Sequence, residues 1–256
     1  MKVFFLVLAR DKKHVDQKIE ELKVLGMPHL VVCGQRLHHP NVIYRHPRGK
    51  YDAINFGFRY IPKDTDIVAL NDVDTRIRNF SAALRRFNTD DIALLFVKLS
   101  IKEGHQKLFN RFLDFIRRRL LITANGELML VRYDVLKRIV PIKPCKAEDS
   151  YLLFKTLEFN CRCVFCESCY VETERTKAIE KEEIYKRKTV CGIYQALGYT
   201  KPPCIIVLFY ALLPLFSPLL MFSGRKGYFW MKGILLGLVD YLCGDRSGVW
   251  QTTYME

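Results

Sequence analysis

Residues 66–74 read Asp66-Ile67-Val68-Ala69-Leu70-Asn71-Asp72-Val73-Asp74, a short apolar run followed by two carboxylates one residue apart. An apolar run of this length predicts a buried strand, which places Asp72 and Asp74 at the end of that strand. There both carboxylates can point to one place and hold a hard divalent cation, leaving coordination positions open for phosphate oxygens. An ordinary turn gives the same pattern, so this interpretation needs support from elsewhere in the chain.

Two further motifs accompany this stretch. Upstream lies Arg48-Gly49-Lys50-Tyr51-Asp52-Ala53-Ile54-Asn55-Phe56-Gly57, and downstream lies Lys146-Ala147-Glu148-Asp149. In their order and intervals the three motifs resemble those of the family 2 glycosyltransferases, and the resemblance covers roughly residues 1–200. It implies a GT-A fold, which is a Rossmann-like α/β fold with a mostly parallel sheet covered by helices. It also implies an inverting transfer of a sugar from a nucleotide-sugar donor.

The resemblance assigns roles to the donor-binding residues. Asp74 would be the main ligand of a divalent cation, Mg²⁺ or Mn²⁺, and Asp72 would contact the ribose or share the metal. Lys50, with Arg48 beside it, would contact a phosphate or the base of a UDP- or GDP-sugar, and Asn55 would fix the loop beneath the nucleotide. Ordinary solvated cations are the alternative interpretation of Lys50 and Arg48.

Asp149 is the candidate general base. It would take the proton from an acceptor hydroxyl as that oxygen attacks the anomeric carbon. A lipid phosphate is already an anion and needs no base, so with that acceptor Asp149 would serve position instead. Simple capping of the helix predicted from Asp149 to about Glu158 is the alternative.

The chain departs from the family pattern in three places. The first strand ends in Leu8-Ala9-Arg10-Asp11, so Arg10 or Asp11 is expected to contact the nucleotide in a different way. The second strand ends in Cys33-Gly34-Gln35, without the acid that reads the base, which leaves the base undetermined. The stretch Tyr185-Lys186-Arg187-Lys188-Thr189 lacks the Gln and Trp of the processive polysaccharide synthases, and this favours transfer of a single sugar.

Composition restricts the partners. The 256 residues are half hydrophobic, about a quarter are charged, and the net charge is +14. The positive charge fits anionic lipid head groups or nucleotide diphosphates, and since no nucleic-acid motif is visible, no nucleic-acid partner is expected. Four of the nine cysteines cluster between Cys161 and Cys169. We interpret them as buried free thiols, with a thiolate metal site or a disulfide as alternatives.

The C-terminal part, residues 201–256, differs from the predicted GT-A domain of residues 1–200. Cys204 to Phe222 is a run of 19 residues without a charge, about the length of a membrane span, although Pro214 and Pro218 interrupt it. The apolar run Gly233 to Cys243 is too short to span. Basic residues on both flanks favour a membrane-associated helical hairpin with both ends on the cytoplasmic face. A single span and a buried soluble helix are the alternatives.

These observations predict a membrane-associated transferase at the cytoplasmic face of the cell membrane, acting on a lipid-linked or glycan acceptor. Val3 to Ala9 is interpreted as a first buried strand and not as a signal segment, because Arg10-Asp11-Lys12-Lys13 follows it. Two other functions remain open. One is a degenerate, non-catalytic module, suggested by the altered turns after the first two strands. The other is a sugar-phosphate nucleotidyltransferase, whose Gly-rich N-terminal loop is missing here.

Overall fold

The computed structural model describes residues 1–89, 91–101, 113–174 and 178–248. Its strands are β1 Val3–Ala9, β2 His29–Cys33, β3 Val42–Tyr44, β4 Ile67–Asp72, β5 Arg76–Arg78, β6 Leu94–Ile101, β7 Leu128–Arg132 and β8 Cys163–Thr173. Its helices are α1 Val15–Val24, α2 Lys50–Gly57, α3 Phe80–Thr89, α4 Tyr133–Ile139, α5 Glu148–Glu158, α6 Lys181–Tyr199, α7 Cys204–Phe216 and α8 Arg225–Leu242, with short 3₁₀ segments at Phe58–Tyr60 and Ser217–Ser223. The sequence from Gln106 to Arg119 also predicts a helix; residues 113–117 are helical, and residues 106–112 lie outside the described part.

The sheet is the middle layer of the domain. Alternate residues of a strand point to opposite faces, and β1 shows this directly, since Leu6 and Leu8 enter one apolar cluster while Phe5 and Val7 enter the other. Helices α1 and α3 cover the second face, and α2, α4 and α5 cover the first. The α/β prediction with helices on the sheet is therefore confirmed.

Most strands of the sheet run in one direction. The order is β3-β2-β1-β4-β7-β6-β8-β5; β1, β2, β3 and β4 are parallel, as are β6 and β8. The exceptions are β7, which is antiparallel to both β4 and β6, and β5, which is antiparallel to β8, so the sheet is not purely parallel. The apolar pattern identifies strands but does not encode their direction. One consequence matters for the site: Leu128 at the start of β7 lies opposite Asn71 near the end of β4.

Helix α8 packs closely along α6. A Cβ added at Gly233 would lie 2.6 Å from the carbonyl oxygen of Glu183, and one at Gly237 would lie 2.6 Å from that of Arg187. The Arg187 guanidinium also donates two hydrogen bonds of 2.6 Å to the Asp240 carboxylate. Backbone contact and a bidentate ion pair thus tie α8 to α6.

The preceding segment, Cys204–Ser223, is long and apolar enough to cross a membrane, and only 17% of it is buried within the protein. It consists of α7, which contains Pro214, and the 3₁₀ segment with Pro218 in its first turn. Its exposed large apolar side chains are Ile205, Val207, Leu208, Leu212, Leu215, Phe216, Leu219, Met221 and Phe222.

Candidate active site

The two carboxylates of the central motif lie where the sequence predicts them. Asp72 is the last residue of β4, and Asp74 follows in the turn to β5 with an exposed side chain. The turn is ordered by Thr75, whose hydroxyl donates to the Asp72 carbonyl oxygen (2.9 Å) and accepts from the Asn71 amide (2.9 Å). The same Asn71 amide nitrogen donates to the carbonyl oxygen of Glu127 (2.7 Å), which links the turn to the segment before β7.

Lys50 lies between two carboxylates. Its Nζ donates to Asp72 Oδ2 at 2.5 Å and is 3.7 Å from Glu148 Oε1. Burial acts to lower the pKa of Lys50, but the negative charges of Asp72 and Glu148 outweigh it and hold that pKa well above its usual value. Lys50 is therefore an integral cation of the site and not a solvated surface charge.

One carboxylate oxygen of Asp72 accepts no hydrogen bond from the described residues. Burial raises the pKa of Asp72 to about 6, with Lys50 acting in the opposite direction and Asp74 adding to the increase. Its Oδ1 is buried and has no hydrogen-bond partner among the described residues. An unpaired carboxylate oxygen beside the exposed Asp74 fits a divalent cation that takes one or two carboxylates and completes its shell with phosphate oxygens.

The two aspartates would hold a cation in an open site, in which the protein supplies only part of the coordination shell. Across the described ranges, no group of three or more His, Cys, Asp or Glu side chains is placed to enclose a metal ion. All nine cysteines are free thiols, and the three at positions 163, 166 and 169 are buried on β8. The Cys161–Cys169 cluster accordingly carries no metal-binding geometry in the described chain.

Glu148 and Asp149 form the first turn of α5, and the residue at its N-cap is Ala147. Burial raises the pKa of Glu148 to about 8. Burial also raises the pKa of Asp149, while the Ser150 backbone N–H, which donates to Asp149 Oδ1 at 2.7 Å, acts to lower it. A Cβ at Gly126 would lie 3.2 Å from the Asp149 Cβ, so the segment before β7 packs directly against this acid.

Asn55 fixes the loop that contains Ile142, and its predicted place beneath the nucleotide stays a prediction. Its Nδ2 donates to the carbonyl oxygen of Ile142 (2.9 Å), and its Oδ1 accepts from the Ile142 N–H (2.8 Å). Ile142 lies in the loop that leads to Glu148. Asn55 therefore positions the acids of α5 relative to α2.

Arg10 and Asp11 follow β1 at the same edge of the sheet, since Leu8 is the strand partner of Asp72. Asp11 Oδ1 accepts the N–H of Lys13 at 2.8 Å, and Arg10 is exposed. Within the described residues, no hydrogen bond or ion pair connects Arg10 or Asp11 to Asp72 or Lys50. The two residues lie at the same edge of the sheet as Asp72 but outside the charge cluster of Lys50, Asp72 and Glu148.

Glu127 is a member of the site that the sequence did not identify. Its carbonyl oxygen accepts from the Asp72 N–H at 3.1 Å, and its carboxylate contributes to the raised pKa of Asp72. A glutamate just before an apolar strand is typical of a turn. Only the antiparallel placement of β7 brings it to the end of β4.

The segment after α8 returns to the site. The Gln195 amide donates to the carbonyl oxygens of Asp245 (2.8 Å) and Ser247 (3.2 Å). A Cβ at Gly49, where φ is +119°, would lie 2.3 Å from the Gly248 carbonyl oxygen. Only glycine fits this left-handed, crowded position beside Lys50. Residues 245–248 thus connect the C-terminal helices to the loop that presents Lys50.

Three solved structures share this arrangement of elements. A mannosyltransferase from Pyrobaculum calidifontis superimposes with a TM-score of 0.66 over 93% of this chain and 86% of its own, at 12% identity. The fold of this chain is GT-A-like. S. aureus TarS (residues 1–349) gives 0.51 over 96% and 92% at 12% identity, and GalNAc-T7 gives 0.54 over 77% and 48% at 8% identity. No protein-family model matches the chain, and no curated protein matches it in sequence.

Proposed function

We propose that this protein is a nucleotide-sugar-dependent glycosyltransferase. The observation that carries the proposal is the pair Asp72 and Asp74 at the end of β4, with Lys50 and the acids of α5 around it, on a GT-A-like fold. Two of the similar structures support the donor class, since the mannosyltransferase was solved with GDP-Man and Mn²⁺ and GalNAc-T7 with UDP, GalNAc and Mn²⁺.

Donor binding rests on the charges at the end of β4. Asp72 and Asp74 would hold Mg²⁺ or Mn²⁺, and this cation supplies neutralisation of the negative charge that develops on the leaving diphosphate. Lys50 offers a second positive charge at the same place, because its ammonium group already lies at Asp72 Oδ2. Arg10 and Asp11, which follow β1 at the same edge of the sheet, are proposed to contact the nucleotide.

Asp149 is the proposed general base of an inverting transfer. Its raised pKa suits a group that accepts a proton from an acceptor hydroxyl, and its partly exposed side chain stands at the start of α5. Glu148 beside it is buried and faces Lys50, so its proposed role is to set the charge of the site. The altered stretch at Tyr185–Thr189 supports transfer of a single sugar.

The acceptor is proposed to be lipid-linked or a membrane-proximal glycan, because of the surface of α7. This helix exposes its apolar side chains, whereas α8 is tied to α6 by the Arg187–Asp240 pair and by Lys232 and Glu183 (2.9 Å). An arrangement with α8 fixed to the domain and α7 apolar and exposed supports a hairpin lying in the membrane interface on the cytoplasmic face. This arrangement argues against the alternative of a single membrane-spanning helix that extends away from the domain.

The Lys50–Asp72 ion pair favours one alternative, a degenerate module in which Lys50 permanently occupies the place of the metal. Incubation with a panel of UDP- and GDP-sugars, followed by assay of released nucleoside diphosphate, separates the two. The proposal predicts slow hydrolysis of at least one donor that requires Mn²⁺ or Mg²⁺ and stops in excess chelator. Binding of a donor without any turnover, on lipid or glycan acceptors as well, would favour the degenerate module.

A further inference from the structure

Helix α1 buries a lysine against the turn that carries the two aspartates. Lys18 is only 2% exposed, and lysine is rarely buried to this degree unless it is paired. Its Nζ donates to the carbonyl oxygen of Thr75, lies 3.4 Å from the Thr75 hydroxyl, and donates to Glu21 Oε2 at 2.7 Å. Lys18 thus ends on the backbone of the turn directly after Asp74.

The partner of Lys18 holds the strand that follows the turn. Glu21 Oε1 accepts the backbone N–H of Ile77, the middle residue of β5, at 2.6 Å. Lys18 and Glu21 are one helical turn apart on α1, so one ion pair contacts both the end of the turn at Thr75 and β5 at Ile77. The Thr75 hydroxyl continues the chain of contacts to the carbonyl oxygen of Asp72.

The charge of Lys18 also reaches the two aspartates. Burial lowers the pKa of Lys18, and the carboxylates of Glu21, Asp72 and Asp74 act to raise it. Lys50 approaches Asp72 from α2, which covers the opposite face of the sheet from α1. Asp72 is therefore flanked by a lysine from each helix layer. The two lysines differ in their exposure, since the side chain of Lys50 is partly exposed and that of Lys18 is buried.

We propose that Lys18 is a positioning residue for the donor site. By fixing Thr75 at the end of the turn and, through Glu21, Ile77 in β5, and by reducing the repulsion between Asp72 and Asp74, it holds both carboxylates ready for one divalent cation. The inference rests on the proposed function, in which these two residues bind that cation. Lys18 itself touches neither donor nor metal, so its loss acts on affinity for the cation through the turn.

Lys18→Met removes the ammonium at similar side-chain length, and Lys23→Met is the matched control. Lys23 lies on the same helix and pairs with Glu20 at the same spacing (2.6 Å), but in solvent. Binding of Mn²⁺ is measured in the presence of whichever of GDP or UDP binds the wild type, and exchange of the Ile77 amide is measured without ligand. We expect Lys18→Met to weaken Mn²⁺ binding about tenfold or more and to accelerate exchange at Ile77, and Lys23→Met to change neither.

Thr75→Val is the second variant, in case Lys18→Met does not fold. It removes the hydroxyl contact with Asp72 but leaves the buried ion pair, and should weaken Mn²⁺ binding in the same direction by a smaller factor. Wild-type Mn²⁺ affinity in folded Lys18→Met, or in Thr75→Val if the former is unfolded, overturns the role of Lys18 alone. Failure of the wild-type protein to bind Mn²⁺ with either nucleotide overturns the proposed function, and this inference with it.

Discussion

The end of β4 concentrates charge to an unusual degree. Two lysines approach Asp72 from the two helix layers, and each is drawn by more than one carboxylate. Like charges crowded together in a buried place raise carboxyl pKa values, and a bound divalent cation would oppose this increase. The acids of this cluster are Asp72, Asp74, Glu127, Glu148 and Asp149.

Glu148 should make stability depend on pH. Its pKa is about 8 in the folded chain against 4.5 in its ordinary state, so between these values the folded state binds more protons than the unfolded state. The free energy of unfolding therefore falls as pH rises across this window. Glu148→Gln should reduce the difference between urea-unfolding midpoints at pH 5 and pH 8.

The control for that prediction is Glu158→Gln at the other end of α5. Interactions with Lys155 and the Lys201 N–H lower the pKa of Glu158 despite some burial, so its removal should leave the loss of stability between pH 5 and pH 8 intact. An equal pH dependence in wild type and Glu148→Gln would contradict the raised pKa of Glu148.

Asp149 distinguishes the two acceptor classes. With a hydroxyl acceptor, Asp149→Asn should lower the transfer rate about 10²–10⁴-fold, as expected for loss of a general base, while donor affinity is retained. With a lipid-phosphate acceptor the nucleophile is already ionised, so the loss should be smaller. Transfer assays with both acceptors measure this. If Asp149→Asn transfers to the hydroxyl acceptor at the wild-type rate, Asp149 is not a general base and only accepts the Ser150 N–H at the start of α5.

The local apolar pattern predicts that Asp72 and Asp74 lie at a strand end, and the resemblance to the family 2 glycosyltransferases points to Asp149. Nothing in the sequence marks the buried contacts of Lys18, since a lysine in an amphipathic helix is typically solvated. The sequence also leaves two interpretations of Lys50 open, a contact with the donor and an ordinary solvated cation. Such contacts join residues more than 20 positions apart and depend on how the helices pack on the sheet.

Among the elements, α7 and the 3₁₀ segment Ser217–Ser223 that follows it form the apolar surface that we expect to bind membranes. Leu215, Phe216 and Phe222 are 70%, 54% and 91% exposed. Burial of an apolar side chain of this size is worth about 1.5–3 kcal/mol, so replacing all three by Ser should lower partitioning into vesicles with anionic lipids at least about 100-fold. Co-sedimentation measures this.

Val24→Ser on α1 is the control, because Val24 is 87% exposed on the GT-A-like domain, away from α7. It should leave vesicle binding unchanged. If the wild-type chain stays soluble without detergent and ignores anionic vesicles, the apolar surface of α7 does not bind membranes.

The elements themselves were largely predictable, and their directions were not. Runs such as residues 3–9 and 67–70 identify buried strands by composition alone. The three-residue strand β5 (Arg76–Arg78) has no apolar pattern to reveal it, and its pairing with β8 comes from tertiary contact. Likewise nothing in the residues of β7 indicates that it runs antiparallel to β4, so this exception in a mostly parallel sheet could not be predicted.

In the molecule as a whole, α6 connects the C-terminal helices with the site. One part of α6 contacts α8 through Arg187, and another contacts the loop before α5, where a Cβ at Gly192 would lie 2.6 Å from the Ala147 nitrogen. The Lys146 ammonium in that loop pairs with Asp245, just after α8. The boundary predicted near residue 200 therefore marks a change in composition, but the segments on either side of it are in close contact in the fold.

Thermal unfolding measures whether Asp72 and Asp74 bind a nucleotide-sugar donor together with a divalent cation, which is the binding event that the proposed function requires. A ligand at 100 times its dissociation constant stabilises by about 2.7 kcal/mol. At least one UDP- or GDP-sugar should stabilise wild type and the surface control Asp64→Asn in Mn²⁺ but not in chelator, and Asp74→Asn should unfold normally yet lose most of this stabilisation. Stabilisation that survives in Asp74→Asn or in chelator, or a complete panel of donors without effect on the wild type, would contradict the account.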